Sequence, residues 1–159
     1  MPNFTEFPAH LFMENSSVTE ILRTFSKNEL KRFDFFVRSE YFNRKSAVTK
    51  LWNEIKLFAP DFNSPRLTRE HVYAQVFPGK KFNYGTLKNI IYDLTLLCRK
   101  FIELEYYSSD KVQSRFNLLK AVTVRRLSGF FDKAFKETAK LIEENYHESD
   151  YYRNKFYLH

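Results

Sequence analysis

The distribution of glycine and proline restricts the possible folds of this chain more than any other feature. Its 159 residues include 3 glycines and 5 prolines, and the last proline is Pro78. Proline removes a backbone donor and glycine costs conformational entropy, so long stretches without either residue favour continuous helices. Apolar residues recur at three- and four-residue spacing, and no segment shows sustained two-residue alternation. We therefore predict an all-α fold.

The sequence predicts that the chain is organised into three successive segments. Residues 1–16 form an N-terminal arm, residues 17–107 a compact multi-helix domain, and residues 108–159 an antiparallel α-hairpin with the start of a further helix. A length of 159 residues suffices for one well-packed domain, or for a small domain and the beginning of a second. The 43% hydrophobic and 28% charged residues exclude a disordered chain and a fibrous repeat.

Start signals mark the helices of the predicted domain. Capping boxes begin at Ser17 and at Ser26, where a serine and a glutamate three residues later satisfy each other's free backbone N–H groups. Asn43 and Thr68 are the predicted N-caps of two later helices. The longest amphipathic helix keeps one apolar stripe for about five turns. That stripe consists of Leu87, Ile90, Ile91, Leu94, Leu97, Cys98, Phe101 and Leu104.

The sequence after residue 107 has the pattern of paired helices. Ser108 or Ser109 is predicted to cap one helix, Gly129 to form a tight turn into a second, and Ser149 to start a third. Helical-hairpin arrays begin in this way, although the spacing does not follow the standard tetratricopeptide consensus. The final "YYRNKFYLH" is apolar-periodic without a stop signal, so we expect an N-terminal portion of a longer helical protein.

The net charge of +7 raises the question of an acidic partner such as nucleic acid. The excess is spread almost evenly, with +2 in residues 1–60, +2 in residues 61–107 and +3 in residues 108–159. A surface that follows a nucleic-acid backbone concentrates its lysines and arginines. The overall charge therefore favours nucleic acid only slightly.

A basic segment near the middle of the chain is the candidate for nucleic-acid contact. Residues 69–105 predict a short helix, a turn and a long helix, similar to a helix-turn-helix, and no acidic residue occurs between His71 and Tyr92. The connection is about twice the usual three or four residues, so the alternative, which we favour, is a solvated turn between two bundle helices. The candidate contacts are Lys80, Lys81, Tyr84, Lys88, Asn89 and Tyr92.

Aromatic residues make up 18% of the chain, with 18 phenylalanines and 10 tyrosines. Several are adjacent on predicted helices, namely Phe35 with Phe36, Tyr106 with Tyr107, and Tyr151 with Tyr152. Neighbours on a helix point in different directions, so some rings must lie outside the core or in an interface, whose centre favours aromatic side chains. The alternative is a two-layer arrangement that buries both helix faces. We predict a non-catalytic module that binds another protein or a second copy of itself, with nucleic-acid binding as the alternative.

No sequence motif indicates catalysis or cofactor binding. Gly79 and Gly85 are separated by five residues, not the four of a phosphate-binding loop, and Thr86 follows where that loop has lysine. Glu103 and Glu105 point to different faces of one helix. The four histidines have no paired spacing for a metal ion; they are His10, His71, His147 and His159. We expect no enzyme activity, cofactor, metal or small-molecule substrate.

The cysteine content and the N-terminus indicate the expected location. Cys98 is the single cysteine and lies in the apolar stripe, where a thiol behaves as a small hydrophobe. No segment approaches the roughly 20 apolar residues of a membrane-spanning helix. Glu6 stands where a signal peptide carries positive charge. We expect a cytoplasmic protein without membrane contact.

The segment "SKNELKRFDFFVRSEYFN" resembles a pattern from a family of uncharacterised helical proteins of Bacteroidetes-type bacteria. The residues that match are Ser26, Lys27, Glu29, Leu30, Phe33, Phe36, Ser39, Tyr41, Phe42 and Asn43. Glu40 departs from the pattern, which has proline at that position. The likeness continues through "REHVYAQVFPGKKFN". It implies a bacterial, cytoplasmic, helical protein and implies no activity.

Overall fold

The structure of the protein, a computed structural model, describes Met13, residues 16–145 and residues 149–158. These residues contain helices and no strand, which confirms the predicted all-α fold, and none of the described helices is long and apolar enough to span a membrane. Most of the predicted N-terminal arm, residues 1–16, lies outside the described residues, as do His10, His147 and His159. The helices are α1 (Ser17–Arg23), α2 (Lys27–Arg38), α3 (Ser46–Ile55), a 3₁₀ turn (Lys56–Phe58), α4 (Arg69–Val76), α5 (Tyr84–Ser109), α6 (Lys111–Val124), α7 (Ser128–Glu144) and α8 (Tyr151–Leu158).

The chain divides into two compact units after Ile102, within α5. The first unit contains α1 to α4 and the larger part of α5, and the second contains the end of α5 and α6 to α8. The predicted domain limit at residue 107 lies in the same helix.

Phe33 of α2 occupies the centre of the first unit's aromatic core. Its ring centroid lies 4.9 Å from that of Trp52, 5.5 Å from that of Phe25 and 5.3 Å from that of Phe101. All three contacts are edge-on, a geometry that aromatic pairs prefer, and all four side chains are buried. The apolar faces of α2, α3 and α5 thus meet at one residue.

Two predicted helix starts in the first unit are confirmed. At α2 the Glu29 N–H donates to Ser26 Oγ (3.2 Å), and the Ser26 N–H donates to the Glu29 carboxylate (2.7 Å). At α4 the His71 N–H donates to Thr68 Oγ1 (3.2 Å). Both caps provide hydrogen-bond acceptors for backbone N–H groups that have no partner inside the helix.

The capping box predicted at Ser17 was wrong, because Ser16 is the N-cap of α1. Ser16 Oγ accepts a hydrogen bond from the Thr19 N–H at 3.4 Å. The buried Thr19 hydroxyl donates to the Met13 carbonyl at 2.8 Å. This hydrogen bond holds the Thr19 side chain in the protein interior, against the chain that precedes the helix. The N-cap therefore lies one residue earlier than the sequence pattern indicates.

Asn43 does not cap α3, contrary to the prediction. The helix begins at Ser46, and its N-cap Lys45 makes no side-chain capping bond. Instead, the Asn43 amide donates to the Val37 carbonyl (2.9 Å) and to Thr49 Oγ1 (3.0 Å), while its side-chain oxygen accepts from the Lys45 N–H (2.9 Å). Asn43 therefore connects the end of α2 to the first turns of α3.

The boundary between α5 and α6 also differs from the prediction. Neither Ser108 nor Ser109 caps α6, because α5 continues through Ser109 and both hydroxyls donate to carbonyls of the preceding turn. Asp110 is the N-cap, accepting from the Gln113 N–H at 2.9 Å. An aspartate at this position also complements the positive end of the helix dipole.

The turn between α6 and α7 is formed by Arg126, not by Gly129, so that prediction was wrong. Arg126 has φ 56°, in the left-handed region that favours glycine. Its N–H donates to the Thr123 carbonyl, and the Leu127 N–H donates to the Val122 carbonyl. This pair of bonds is a Schellman motif, which satisfies the last carbonyls of a helix. Gly129 lies within α7.

Helix α7 packs against both α6 and α8. Across α7 and α8, the Tyr151 hydroxyl donates to the Glu143 carboxylate (2.8 Å), as does the Lys155 ammonium (2.8 Å). Together these donors lower the pKa of Glu143, and the carboxylate in turn raises the pKa of Lys155. α8 is thus attached through polar contacts and has no fully buried residue.

Candidate interaction surfaces

Aromatic and cationic side chains hold the connection between α4 and α5. The buried Tyr73 ring lies 5.0 Å from Phe77 and 5.3 Å from Phe82. The Arg69 guanidinium lies 5.3 Å from the centroid of Tyr84, a cation–π contact that joins the starts of the two helices. Side chains of α4 therefore contact the connecting segment at Phe77 and Phe82 and the start of α5 at Tyr84.

All six residues predicted to contact nucleic acid are exposed; they are Lys80, Lys81, Tyr84, Lys88, Asn89 and Tyr92. Asn83 accepts from the Thr86 N–H at 2.9 Å, and α5 begins next to it at Tyr84. Tyr84, Lys88 and Tyr92 follow at four-residue spacing and share one helix face. The two tyrosines are 51% and 62% exposed. We refer to the six residues together as the α5 face.

The surroundings of the α5 face differ from a helix-turn-helix in two respects. The main packing partner of α4 is α3, whereas the two helices of that motif pack on each other. In addition, Asp93 follows Tyr92 and forms an ion pair with Lys45 at 2.8 Å, which places a carboxylate at the edge of the face. The six residues are all exposed, but the segment does not have the geometry of the motif.

The predicted interface tyrosines all belong to the second unit. Tyr106 and Tyr152 are 77% and 82% exposed. Tyr151, by contrast, is half-buried and bonded to Glu143, and the Tyr107 hydroxyl lies 3.4 Å from the Ser114 carbonyl. In each adjacent pair one tyrosine is therefore mostly exposed, while the hydroxyl of the other is hydrogen-bonded within its own unit.

The sequence did not indicate a groove that the structure forms between α2 and the 3₁₀ turn. Phe35 and Leu57 are 75% and 70% exposed and border a depression of about 480 Å³. We call it the α2–α3 groove; its lining includes Leu30, Lys31, Asp34, Phe35, Trp52, Lys56, Leu57 and Ala59. A sequence signal existed for Phe35, because Phe33, Phe36 and Val37 define the buried stripe and leave Phe35 outside it. Nothing in the sequence pairs Phe35 with Leu57.

Asp34 holds the floor of the α2–α3 groove in place. Its carboxylate accepts from Trp52 Nε1 (2.8 Å), Lys56 Nζ (2.8 Å) and Arg38 Nε (3.0 Å). Partial burial acts to raise the pKa of Asp34, but the hydrogen bonds from Arg38, Lys56 and Trp52 outweigh it and lower the pKa to about 2. The negative charge at this position is therefore fully engaged within the protein.

The titratable groups offer little reactive chemistry. Cys98 is buried, and burial raises the pKa of its thiol to about 12, so it is not a thiolate near neutral pH. Over the residues that the structure describes, no group of three or more His, Cys, Asp or Glu side chains is arranged to hold a metal ion.

The fold and these surfaces place the chain in the broad class of all-α proteins. No protein-family model, curated protein or solved structure matches it.

Proposed function

We propose that this protein is a non-catalytic helical module that binds another protein, or a second copy of itself, through the α2–α3 groove. One observation carries the proposal: Phe35 and Leu57 are mostly exposed and both line a largely apolar depression. Single exposed apolar residues are common, but clustered ones around a concave surface mark sites of interaction. We also propose a cytoplasmic location, which the single cysteine supports.

The exposed side chains at the groove can contribute more free energy to binding a partner than they contribute to folding. Burying a phenylalanine or leucine side chain contributes about 1.5–3 kcal/mol each, and most of that gain is unrealised while the two remain exposed. The ring of Trp52, which also lines the groove, is fixed by its bond to Asp34. A partner would meet a surface that is already ordered, so little conformational entropy would be lost on binding.

Peptide display tests this proposal even while the natural partner is unidentified. A library of random 16-residue peptides is selected on the wild-type protein and then on a groove variant, Phe35→Ser with Leu57→Ser. Peptides that bind the wild type and lose at least about tenfold in affinity for the groove variant support the proposal. Sedimentation equilibrium of both proteins examines self-association in parallel.

A Tyr41→Ser variant is the matched control for the display experiment, since Tyr41 is 86% exposed and does not line the groove. Groove-dependent peptides should bind this control as well as they bind the wild type. If selection yields no peptide that distinguishes the groove variant, and the wild type is monomeric at every concentration, the proposal is wrong.

Nucleic-acid binding is the second candidate function, and the shared exposure of the six residues on the α5 face favours it. Fluorescence anisotropy with short duplex DNA and with single-stranded RNA, across a salt series, is the test. Salt-dependent binding that is lost in a Lys80→Glu, Lys81→Glu, Lys88→Glu variant would support this function. Binding that is unchanged in the variant, or no binding at low salt, would exclude the α5 face.

A further inference from the structure

We propose that the α2–α3 groove recognises an acidic, amphipathic segment of a partner protein. A large apolar side chain of this segment enters between Phe35 and Leu57, and its carboxylates contact the lysines next to these two residues. This inference rests on the proposed function and specifies the chemistry of the partner.

The groove presents positive charge next to its apolar floor. Its lining contains two lysines and one aspartate, and Asp34 already accepts hydrogen bonds from Arg38, Lys56 and Trp52. Lys31 is exposed and forms no ion pair among the described residues. The charge still available to a partner is therefore cationic, and a carboxylate beside an apolar anchor would complement it.

Helix geometry extends this positive border along α2. Lys27, Lys31 and Phe35 follow at four-residue spacing, so they lie in one row on the helix surface. Lys27 and Lys31 are both exposed. A partner whose apolar residue contacts Phe35 would place its neighbouring residues along these two lysines. This arrangement suits acidic residues one and two helical turns from the anchor.

Two other occupants fit the groove less well. A second copy of the chain would bring an identical positive border against the first, which costs electrostatic energy. An anionic membrane surface would suit the lysines and the exposed Phe35 and Leu57, but a flat bilayer surface would leave unfilled the depression that Trp52 lines. A peptide segment matches both the charge and the concave shape.

The display library, built with equal numbers of acidic and basic codons, provides the test. Groove-dependent peptides should be enriched in Asp and Glu around one large apolar residue. A selected peptide is then synthesised with its carboxylates intact and with each replaced by the matching amide. Affinities are measured for the wild type, for Lys31→Glu, and for Lys88→Glu, a charge reversal on the α5 face. The amide peptide and Lys31→Glu should each weaken binding about tenfold, while Lys88→Glu should not.

The outcomes separate this inference from the function on which it rests. Groove-dependent peptides without acidic enrichment, or without an effect of Lys31→Glu, would overturn the acidic-segment inference and leave the proposed function intact. Failure to recover any groove-dependent peptide, together with a wild type that is monomeric at every concentration, would overturn both. Self-association through the groove would overturn the acidic-segment inference alone. Sedimentation with vesicles of phosphatidylcholine and phosphatidylserine completes the test, because groove-dependent vesicle binding without groove-dependent peptides would identify a membrane surface instead.

Discussion

Asp34 contributes to folding through three charge-assisted hydrogen bonds. We expect Asp34→Asn to lower the free energy of unfolding at pH 7 by about 1–2 kcal/mol, because the amide accepts more weakly and leaves Lys56 and Arg38 without a counter-charge. Urea unfolding followed by the fluorescence of Trp52, the single tryptophan, measures this difference directly.

The pH dependence of that difference follows from the lowered pKa of Asp34. The group titrates near 3.8 when unfolded and near 2 when folded, so its contribution is fully present above about pH 4 and is lost as the pH falls through 2. The stabilities of the wild type and Asp34→Asn should therefore converge as the pH falls from 4 to 2. A gap that stays constant over this interval would show that the carboxylate charge is not responsible.

Arg126 is expected to be a site where substitution stabilises the protein. A non-glycine residue at φ 56° is strained, so Arg126→Gly should raise the free energy of unfolding of the second unit by about 0.5–1 kcal/mol. Gly129 provides the matched comparison, because it lies inside α7 with open space where an alanine Cβ would stand. Gly129→Ala should also stabilise by about 0.5–1 kcal/mol, from helix propensity. Thermal unfolding measures both changes, and a loss of stability in Arg126→Gly would contradict the assigned strain.

The turn at Arg126 shows why individual positions were harder to predict than helices. Glycine is the usual residue at a left-handed helix end, and the only glycine in this region is Gly129. The sequence therefore indicated the correct turn but the wrong residue. The arginine conformation is accompanied by the bond from the Leu127 N–H to the Val122 carbonyl, which residue preferences do not reveal.

At the level of the helices, the assigned N-cap of α1 can be tested with neighbouring serines. Ser16→Ala should lower the free energy of unfolding by about 1 kcal/mol, because the Thr19 N–H loses its acceptor. Ser17→Ala should have little effect or be slightly stabilising, since Ser17 is exposed in the first turn and alanine favours helix. Urea unfolding of the two variants would reject the assignment if Ser17→Ala were the more damaging.

Helix faces could be predicted because apolar spacing decides which side of a helix is buried. Of the eight residues in the stripe predicted for α5, five are buried and three are half-buried. The buried five are Leu87, Ile90, Leu94, Cys98 and Phe101, and the half-buried three are Ile91, Leu97 and Leu104. Helix ends were less predictable because contacts distant in sequence select among several possible caps. Asn43 has the side chain of a cap but bonds to Val37 and Thr49, and Asp110 displaces two serines that precede it.

For the molecule as a whole, the groove and the core should be separable by mutation. The groove variant, Phe35→Ser with Leu57→Ser, should unfold within about 0.5 kcal/mol of the wild type, because both side chains are mostly exposed. Phe33→Ala should cost about 3–5 kcal/mol, because it removes the ring at the centre of the aromatic core. Denaturant unfolding measures both, and a large loss in the groove variant would mean that these residues support folding instead of binding.

The all-α fold could be predicted from the whole sequence because it depends on repeated local preferences. The α2–α3 groove could not, because it depends on two exposed side chains from different elements that line the same depression as Asp34 and Trp52. Composition likewise gave the excess of positive charge but not its position beside an apolar depression. The candidate surfaces therefore required the tertiary structure.

Cys98 has a practical consequence that follows from its burial. Because its thiol is the single one in the chain and is shielded in the core, a cysteine introduced at position 57 would react selectively with a maleimide dye in the native protein. Slow modification of Cys98 itself would then occur only when the first unit opens. The same protein could thus carry a fluorescent reporter at the groove, while the rate of Cys98 modification measures how often its core opens.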